Sequence, residues 1–424
     1  MTYDILICSL PDMDKDKPSA ALGYLKSYLE EHGFSVMTID GNQLGDIELL
    51  HHVVSAYDFN VLGISVFSYL QETTALEFGK EYDNVVYGGS GVYKGWPHGD
   101  YIVADGERAL VEYLNGNKFY PGINGRPPEE VADLTSLPTP DYSDLLEPEF
   151  YKTKYTSVSI TGSRGCVRRC TFCDIADRWP KYRWVEGETL AYKMIELSEK
   201  TGFKKINLTD SLVNGSLKHF NAMCRILATT PNNVQWNGQF IIRSAKYMTS
   251  ENFDHIANSG CSGLTIGIES GSEKVREHMK KKFSNEDMDI WCKNLLDRGV
   301  KVKFLLIVGY PTETEEDFED TMKFLEKWKD YNTVKVSIDI MRIEPGSPME
   351  SFEGDLFHRN EDRHDWENDI AGNFDVRVKR FVKLFDHAVD LGYEFPYHAV
   401  RKKNKFLNYA AGNPEVVLRG DTLV

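Results

Sequence analysis

The sequence predicts an α/β protein: an N-terminal doubly wound, Rossmann-like parallel sheet, then a partial (β/α)6 TIM-type barrel, then a small, mainly helical C-terminal region. Three observations predict it. Two separate series of short apolar, β-branched runs alternate with amphipathic stretches of helix length. The runs are continuous rather than alternating in polarity, as in strands buried on both faces of a helix-covered parallel sheet. Between the two series lies a stretch rich in Pro, Gly and acidic residues with no sustained period, which reads as a linker. The expected domains are 1–117, the linker 118–152, 153–345 and 346–424.

In the first series, strands are expected over 3–10, 34–40, 61–67, 85–88 and 101–104, with helices over 20–32, 47–57, 72–82 and 107–114. Ligands of such sheets sit beyond the carboxyl ends of the strands. Ser65, Ser68 and Tyr69 around the end of the third strand, and Gly88 and Gly89 after the fourth, are therefore candidate ligand contacts. Glycines there let a large group lie against the sheet edge without a clashing side chain.

The second series places strands over 156–162, 205–210, 234–240, 263–270, 302–309 and 334–343, with helices near 187–201, 217–229, 250–259, 285–298 and 315–328. Six units are too few for a closed eight-stranded barrel and suit an open one with its chemistry at the carboxyl ends of the strands. After Pro345 a polar segment, 351–373, precedes a helical stretch at 376–391 and a basic run at 401–405, read as a solvated helix face or a lid contact.

The 424 residues carry a net charge of -16 and a pI of about 5.2. That balance removes any broad attraction to nucleic acid or an anionic membrane, so nucleic acid is not an expected partner. The apolar stretch 3–10 lacks a basic flank and is too short to span a bilayer, and no membrane association is expected. Seven cysteines, an odd number and mostly scattered, form no disulfide framework; a reactive cluster needs a reducing compartment, and the cytoplasm is expected.

Three of the cysteines are grouped. Cys166, Cys170 and Cys173 stand just after the first strand of the second series, within Gly165-Cys166-Val167-Arg168-Arg169-Cys170-Thr171-Phe172-Cys173. A structural zinc site is a closed set of four ligands. A C-x-x-x-C-x-x-C triplet holds three irons of a [4Fe-4S] cluster and leaves the fourth open for a substrate or cosubstrate. The alternative is zinc closed by a remote ligand such as His219 or Cys224. Cys8, Cys224, Cys261 and Cys292 read as small core residues. Arg164, Arg168 and Arg169 put positive charge beside the thiolates.

Later motifs extend the pattern. They are Arg178, Arg183, Trp184 and Glu188 after the cysteines, Thr209-Asp210-Ser211, the run Gly260-Cys261-Ser262-Gly263-Leu264-Thr265-Ile266-Gly267-Ile268-Glu269-Ser270-Gly271, Gly309-Tyr310-Pro311-Thr312-Glu313-Thr314, and Pro345-Gly346-Ser347-Pro348. In this order, over about 155–350, they resemble the radical S-adenosylmethionine superfamily. Val86-Tyr87-Gly88-Gly89-Ser90, Ala104-Asp105-Gly106-Glu107 and the connector Leu137-Pro138-Thr139-Pro140 resemble the branch with an N-terminal cobalamin-binding domain. One departure stands out: the D-x-H-x-x-G motif is absent, its region holding Cys8-Ser9-Leu10-Pro11-Asp12-Met13, which implies a cobalamin without a histidine below it, or a vestigial domain.

The resemblance implies a [4Fe-4S] cluster, S-adenosylmethionine and cobalamin as cofactors, and an external low-potential electron donor such as flavodoxin or ferredoxin. It places Phe172 near the adenine, Glu269 and Arg243 at ribose and methionine contacts, Asp210 and Ser211 near the methionine amine, and Gly309 where backbone approaches the adenine. The acidic balance leaves a small molecule or a peptide as substrate. The implied activity is methylation of an unactivated carbon or phosphorus. The alternatives are a cyclase, oxidase or rearrangement enzyme using the adenosyl radical directly, and a non-catalytic iron–sulfur or zinc sensor. A methylthiotransferase is disfavoured, because neither its second cysteine set nor a terminal RNA-binding module is visible and Cys8 stands alone.

Overall fold

A computed structural model of the chain describes residues 2–11, 16–103, 105–146, 154–359, 366–410, 418–419 and 422–423. Asp12, Met13, Ala104 and the linker positions 147–152 lie outside the described residues. By packing, the chain falls into two compact units: residues 1–163 with 183–209 and 230–236, and residues 164–182 with 210–229 and 237–424.

The first unit is built on a five-stranded parallel sheet of β1 (Thr2–Ser9), β2 (Val36–Asp40), β3 (Asp58–Ser65), β4 (Val85–Gly88) and β5 (Asp100–Tyr101), in the order β2-β1-β3-β4-β5. Helices Ala20–Glu31, Ile47–Val54 and Glu72–Gly79 connect successive strands, and Gly106–Leu114 follows β5. Helix Ile47–Val54 starts where Asp46 accepts the Leu49 amide at 2.9 Å, a side-chain cap on the first turn. Leu6, Cys8, Leu62, Ile64, Val66, Phe78 and Tyr87 form the core between sheet and helices. β5 is shorter than the sequence suggests because Ile102 leaves the parallel ladder to bridge Ile123 in antiparallel fashion.

The connections run from β1 to β2 on one side and to β3 on the other, so the strand order reverses between β1 and β3. A crevice beyond the strand ends is the usual ligand position of such a sheet. At that edge the register lines up Asp40, Ser9, Ser65 and Gly88 in one row.

The second series contains β6 (Val158–Ile160), the two-residue strands β7 (Ser163–Arg164) and β8 (Arg183–Trp184) that pair with each other, β9 (Lys205–Leu208), β10 (Gln235–Phe240), β11 (Cys261–Glu269), β12 (Val302–Val308) and β13 (Val334–Ile340). Six of them form an open, partial barrel-type sheet in the order β13-β12-β11-β10-β9-β6, with parallel register between β6 and β9 and across β11, β12 and β13. The predicted fold class is borne out. A short helix, Glu273–His278, follows β11 where none was expected.

The C-terminal region is helical at Phe374–Asp390 and Tyr397–Ala410. The basic run lies on the second of these helices, where Lys402 pairs with Asp339 of β13 at 2.6 Å and Lys403 with Asp386. Among the described residues, no helix is long and apolar enough to cross a membrane.

Candidate active site

The cysteine loop lies in the second unit. Gly165 opens it with φ +82°, and a Cβ there would stand 2.4 Å from the Lys181 carbonyl oxygen, so only glycine lets the loop pass. Thr171, at the loop's centre, is pinned three ways. Its amide donates to Met279 at 3.2 Å, its carbonyl accepts from the Met349 amide at 2.7 Å, and its hydroxyl pairs with Tyr310 Oη at 2.8 Å. The thiols around this anchor remain partly exposed. The Cys173 amide turns back onto the Cys170 carbonyl at 3.3 Å, and the Arg168 amide donates to Cys166 Sγ at 3.4 Å.

The thiols feel one another's charge. Burial raises the Cys170 thiol and lifts Cys173 to about 12, and thiolate charge at Cys166 opposes the ionisation of both. A bound cation must therefore displace protons, as thiolate ligation requires. Among the described residues, no three His, Cys, Asp or Glu side chains converge on a single metal ion. A four-iron cube, with an iron at each ligated corner, needs its thiolates wider apart than one ion does. Three partly exposed thiols on one pinned loop fit that group.

Arginine and aromatic groups close around the loop. Arg168 donates to the carbonyls of Ile242 (3.2 Å) and Lys282 (3.1 Å), and Arg169 to that of Pro180, while Arg164 lies over the Trp179 ring at 5.8 Å. Arg243 donates to the Gly215 carbonyl at 2.6 Å, and its own carbonyl accepts Trp291 Nε1 at 2.8 Å. The Gly215 loop leads back to Ser211 and the buried Asp210. Phe172 packs against the apolar cluster of Val275, Met279, Tyr310, Met341 and Met349.

Glu269 ends β11 in the left-handed region, φ +67°, next to a register shift against β12. Its Oε1 accepts from Lys281 Nζ at 2.9 Å in a buried ion pair. Burial penalises the Lys281 ammonium, but Glu269, Cys170 and Cys166 together hold its pKa above the ordinary value. A Cβ on Gly267 would stand 2.3 Å from Glu269 Oε1 and 3.0 Å from Lys281 Nζ, so that glycine makes room for the pair. Beyond it, fully buried Arg276 donates to the carbonyls of Ser270 (2.7 Å) and Gly271 (2.8 Å), fixing the turn that follows the strand. Burial draws its guanidinium down to about 10.

Gly309, at φ +76°, lies against Arg377. A Cβ there would stand 2.4 Å from Arg377 Cδ. Arg377 stacks on Trp366, 3.7 Å from its ring centre, and donates to the Trp366 carbonyl at 2.7 Å. The Gly309 amide donates to Glu313 at 2.7 Å, and Arg380 pairs with that carboxylate at 3.4 Å. Burial pushes Glu313 up to about 7.

In the first unit, the Ser65, Gly88 and Ser9 positions form the row already described. Gly88 faces open space, the nearest atom to a Cβ being the Ile102 carbonyl oxygen at 3.9 Å. Gly89, at φ +108°, lies against Val66, whose oxygen would be 2.4 Å from a Cβ. Ser68 caps a single 3-10 turn, Tyr69–Gln71, by accepting the Leu70 amide at 3.3 Å. Around this turn Phe67, Tyr69, Leu70 and Tyr93 are exposed. Ser9 donates to Asp40 at 2.7 Å, and Tyr155 donates to the same carboxylate at 2.9 Å.

Residues 160–325 match the radical SAM superfamily. That segment is a radical SAM domain within the chain. A putative methylthiotransferase of Methanocaldococcus jannaschii is 27% identical over 244 residues, 53% of this chain and 52% of that protein. The chain thus spans about half the length of that relative. Among solved structures, the radical S-adenosylmethionine methyltransferase TsrM of Kitasatospora setae, with cobalamin and a [4Fe-4S] cluster bound, superposes with a TM-score of 0.66 at 19% identity, covering 82% of this chain and 77% of that one. The cobalamin-dependent radical enzyme OxsB, with aqua-cobalamin and S-adenosylmethionine bound, gives 0.71 at 15% identity, over 96% and 71%. At these identities the likeness is one of fold.

Within the radical SAM unit the structure gathers Phe172, Arg243, Glu269 and Gly309 around the cysteine loop through Lys281, Arg168 and Tyr310. Lys281, Arg276, Tyr310 and Thr171 were not singled out from sequence. Only the apolar flanks Met279 and Phe283 around the lysine run hint that one of its members turns inward. Arg183, in the first unit, is a buried anchor: it pairs with Asp105 and donates to the Val131 carbonyl at 2.7 Å.

Proposed function

We propose that this chain is a radical SAM methyltransferase that methylates an unactivated carbon or phosphorus of a small-molecule or peptide substrate. In this reading Cys166, Cys170 and Cys173 hold a [4Fe-4S] cluster, S-adenosylmethionine binds beside it, and the first sheet carries cobalamin. The observation that carries it is the loop pinned at Thr171 that holds three partly exposed thiols together. When bound, the cluster supplies an electron of low potential to S-adenosylmethionine. The chain's own residues orient: Phe172 offers an apolar face toward the adenine, Asp210 and Ser211 offer acceptors for the methionine amine, and Arg243 and Glu269 reach the ribose and methionine side.

Cobalamin is supported by the open edge at Gly88, the row of Ser9 and Ser65 at the strand-order reversal, and exposed Phe67, Tyr69, Leu70 and Tyr93 beside it. Large exposed apolar groups gathered at a sheet's ligand edge suit a broad, flat ring. Methylthio transfer is disfavoured because Cys8 is fully buried, its thiol pushed to about 12, and so serves the core. A reducing cytoplasmic setting, a flavodoxin- or ferredoxin-type donor and functional domains divided at 117, 152 and 345 complete the proposal.

Protein purified without oxygen after growth with cobalamin should contain iron, sulfide and stoichiometric cobalt. With reductant and S-adenosylmethionine it should release a methylated product from its substrate. A full cluster with no cobalt, even after added cobalamin, would overturn methyl transfer in favour of direct radical chemistry.

A further inference from the structure

We propose that Lys281, held in place by Glu269, sets the reduction potential of the cluster bound by Cys166, Cys170 and Cys173. This rests on the cluster reading above. Lys281 is a positioning residue for charge, and four observations converge on it.

Backbone strain is concentrated there. Among the described residues, Asn84, Asn124, Glu269, Lys280 and Lys282 are the non-glycine positions of positive φ. Asparagine tolerates that region. The other three are Glu269 itself (φ 67°) and the two residues flanking Lys281 (φ 58° and 55°). Such backbone persists where its surroundings over-determine it, and it gathers at functional sites.

The pair is also a poor way to stabilise a fold, since a buried ion pair gains little over well-packed apolar side chains. Its retention, with Gly267 left bare to accommodate it, calls for another reason.

The lysine turn is clasped to the cysteine loop on both sides. The Thr171 amide donates to Met279 and Arg168 Nη2 donates to Lys282, at 3.2 and 3.1 Å. Lys281 Nζ lies 5.9 Å from the ring centre of Phe172, which with Thr171 separates Cys170 from Cys173.

The pair is polar in a definite sense. Its ammonium end is the one that lies against the cysteine loop, over the Phe172 ring, so the positive end faces the loop. Reduction adds one negative charge to the cluster. A buried ammonium, little screened by solvent, stabilises that charge and raises the potential.

The test uses full-length protein reconstituted anaerobically as wild type, Lys281→Met, Lys281→Arg and Glu269→Gln. Each is titrated by EPR-monitored reduction without S-adenosylmethionine, so any cosubstrate contact of Glu269 plays no part. Lys281→Met should shift the midpoint to lower potential by a tenfold change in the reduced-to-oxidised ratio at fixed poise, about 59 mV for one electron. Glu269→Gln should shift it upward, and Lys281→Arg should leave it near wild type. Shifts of the same sign in Lys281→Met and Glu269→Gln, no shift, or loss of the cluster in both would overturn the proposal. If Lys281→Met alone loses the cluster, Glu269→Gln decides, an upward shift supporting the proposal and its absence overturning it. Wild-type protein that binds no iron would sink the cluster reading itself, whereas a wild-type cluster with unmoved variants sinks only this inference.

Discussion

The two sheets present opposite surfaces at their carboxyl ends. Beyond β3 and β4 the chain offers bare glycine edge and exposed aromatic and aliphatic side chains, with Phe67 72% and Leu70 59% exposed. Beyond β11 and β12 it offers enclosed charge: Glu269 with Lys281, Glu313 with Arg380, and Arg276 on backbone carbonyls. An open apolar edge binds by covered area and needs little preorganisation. Enclosed charges must be held by the fold before the ligand arrives, because leaving one unpaired is costly. The difference fits a broad ring lying on the first surface and a small, charged reacting centre set into the second.

The sharpest way to separate the two surfaces is Cys173→Ala. It should reduce iron to trace levels and abolish S-adenosylmethionine cleavage while leaving cobalt content unchanged, as metal analysis would show. A parallel loss of cobalt would mean the two sites depend on one another.

Next in size is the contrast between neighbouring glycines. Gly89→Val combines a left-handed φ with a clash against the Val66 carbonyl and should cost about 2–5 kcal/mol in denaturant unfolding. Gly88→Val meets open space and should cost less than about 0.5 kcal/mol, yet reduce cobalt retention, because its side chain stands where a ring would lie.

On the charged side, Glu313 makes stability depend on pH. Its carboxyl titrates at about 7 in the fold against 4.5 ordinarily, so the folded protein holds its proton more tightly than the unfolded chain. The stabilisation is fully present below pH 4.5 and is lost as pH rises through 7, by about 3 kcal/mol in all. Glu313→Gln should remove most of that slope when unfolding is compared at pH 5 and 8.

The smallest expected effect on stability is that of Phe67→Ser, within about 0.5 kcal/mol because the ring is already exposed. If the ring covers a bound cofactor, cobalt retention should still fall. Unchanged retention would remove Phe67 from the ligand surface.

Much of this molecule was legible in one dimension. Strand and helix order, the two parallel sheets and the cysteine triplet follow from periodicity and short-range spacing, which neighbours in sequence determine. Gly88, Gly89, Ser65 and Ser68 could be placed at or just beyond the strand ends, where a parallel sheet presents its ligands. What tertiary structure alone decided is where charge is buried. Lys281 sits in the run Lys280-Lys281-Lys282, which by composition reads as solvent-facing. Two left-handed residues turn it inward onto Glu269 from another segment. Arg377 fills the space above Gly309 from a helix some 70 residues away, and Arg380 reaches Glu313 from the same helix. The energy of a charge depends on the distant segments that enclose it and on the partner they supply, and no local pattern of residue types carries that information.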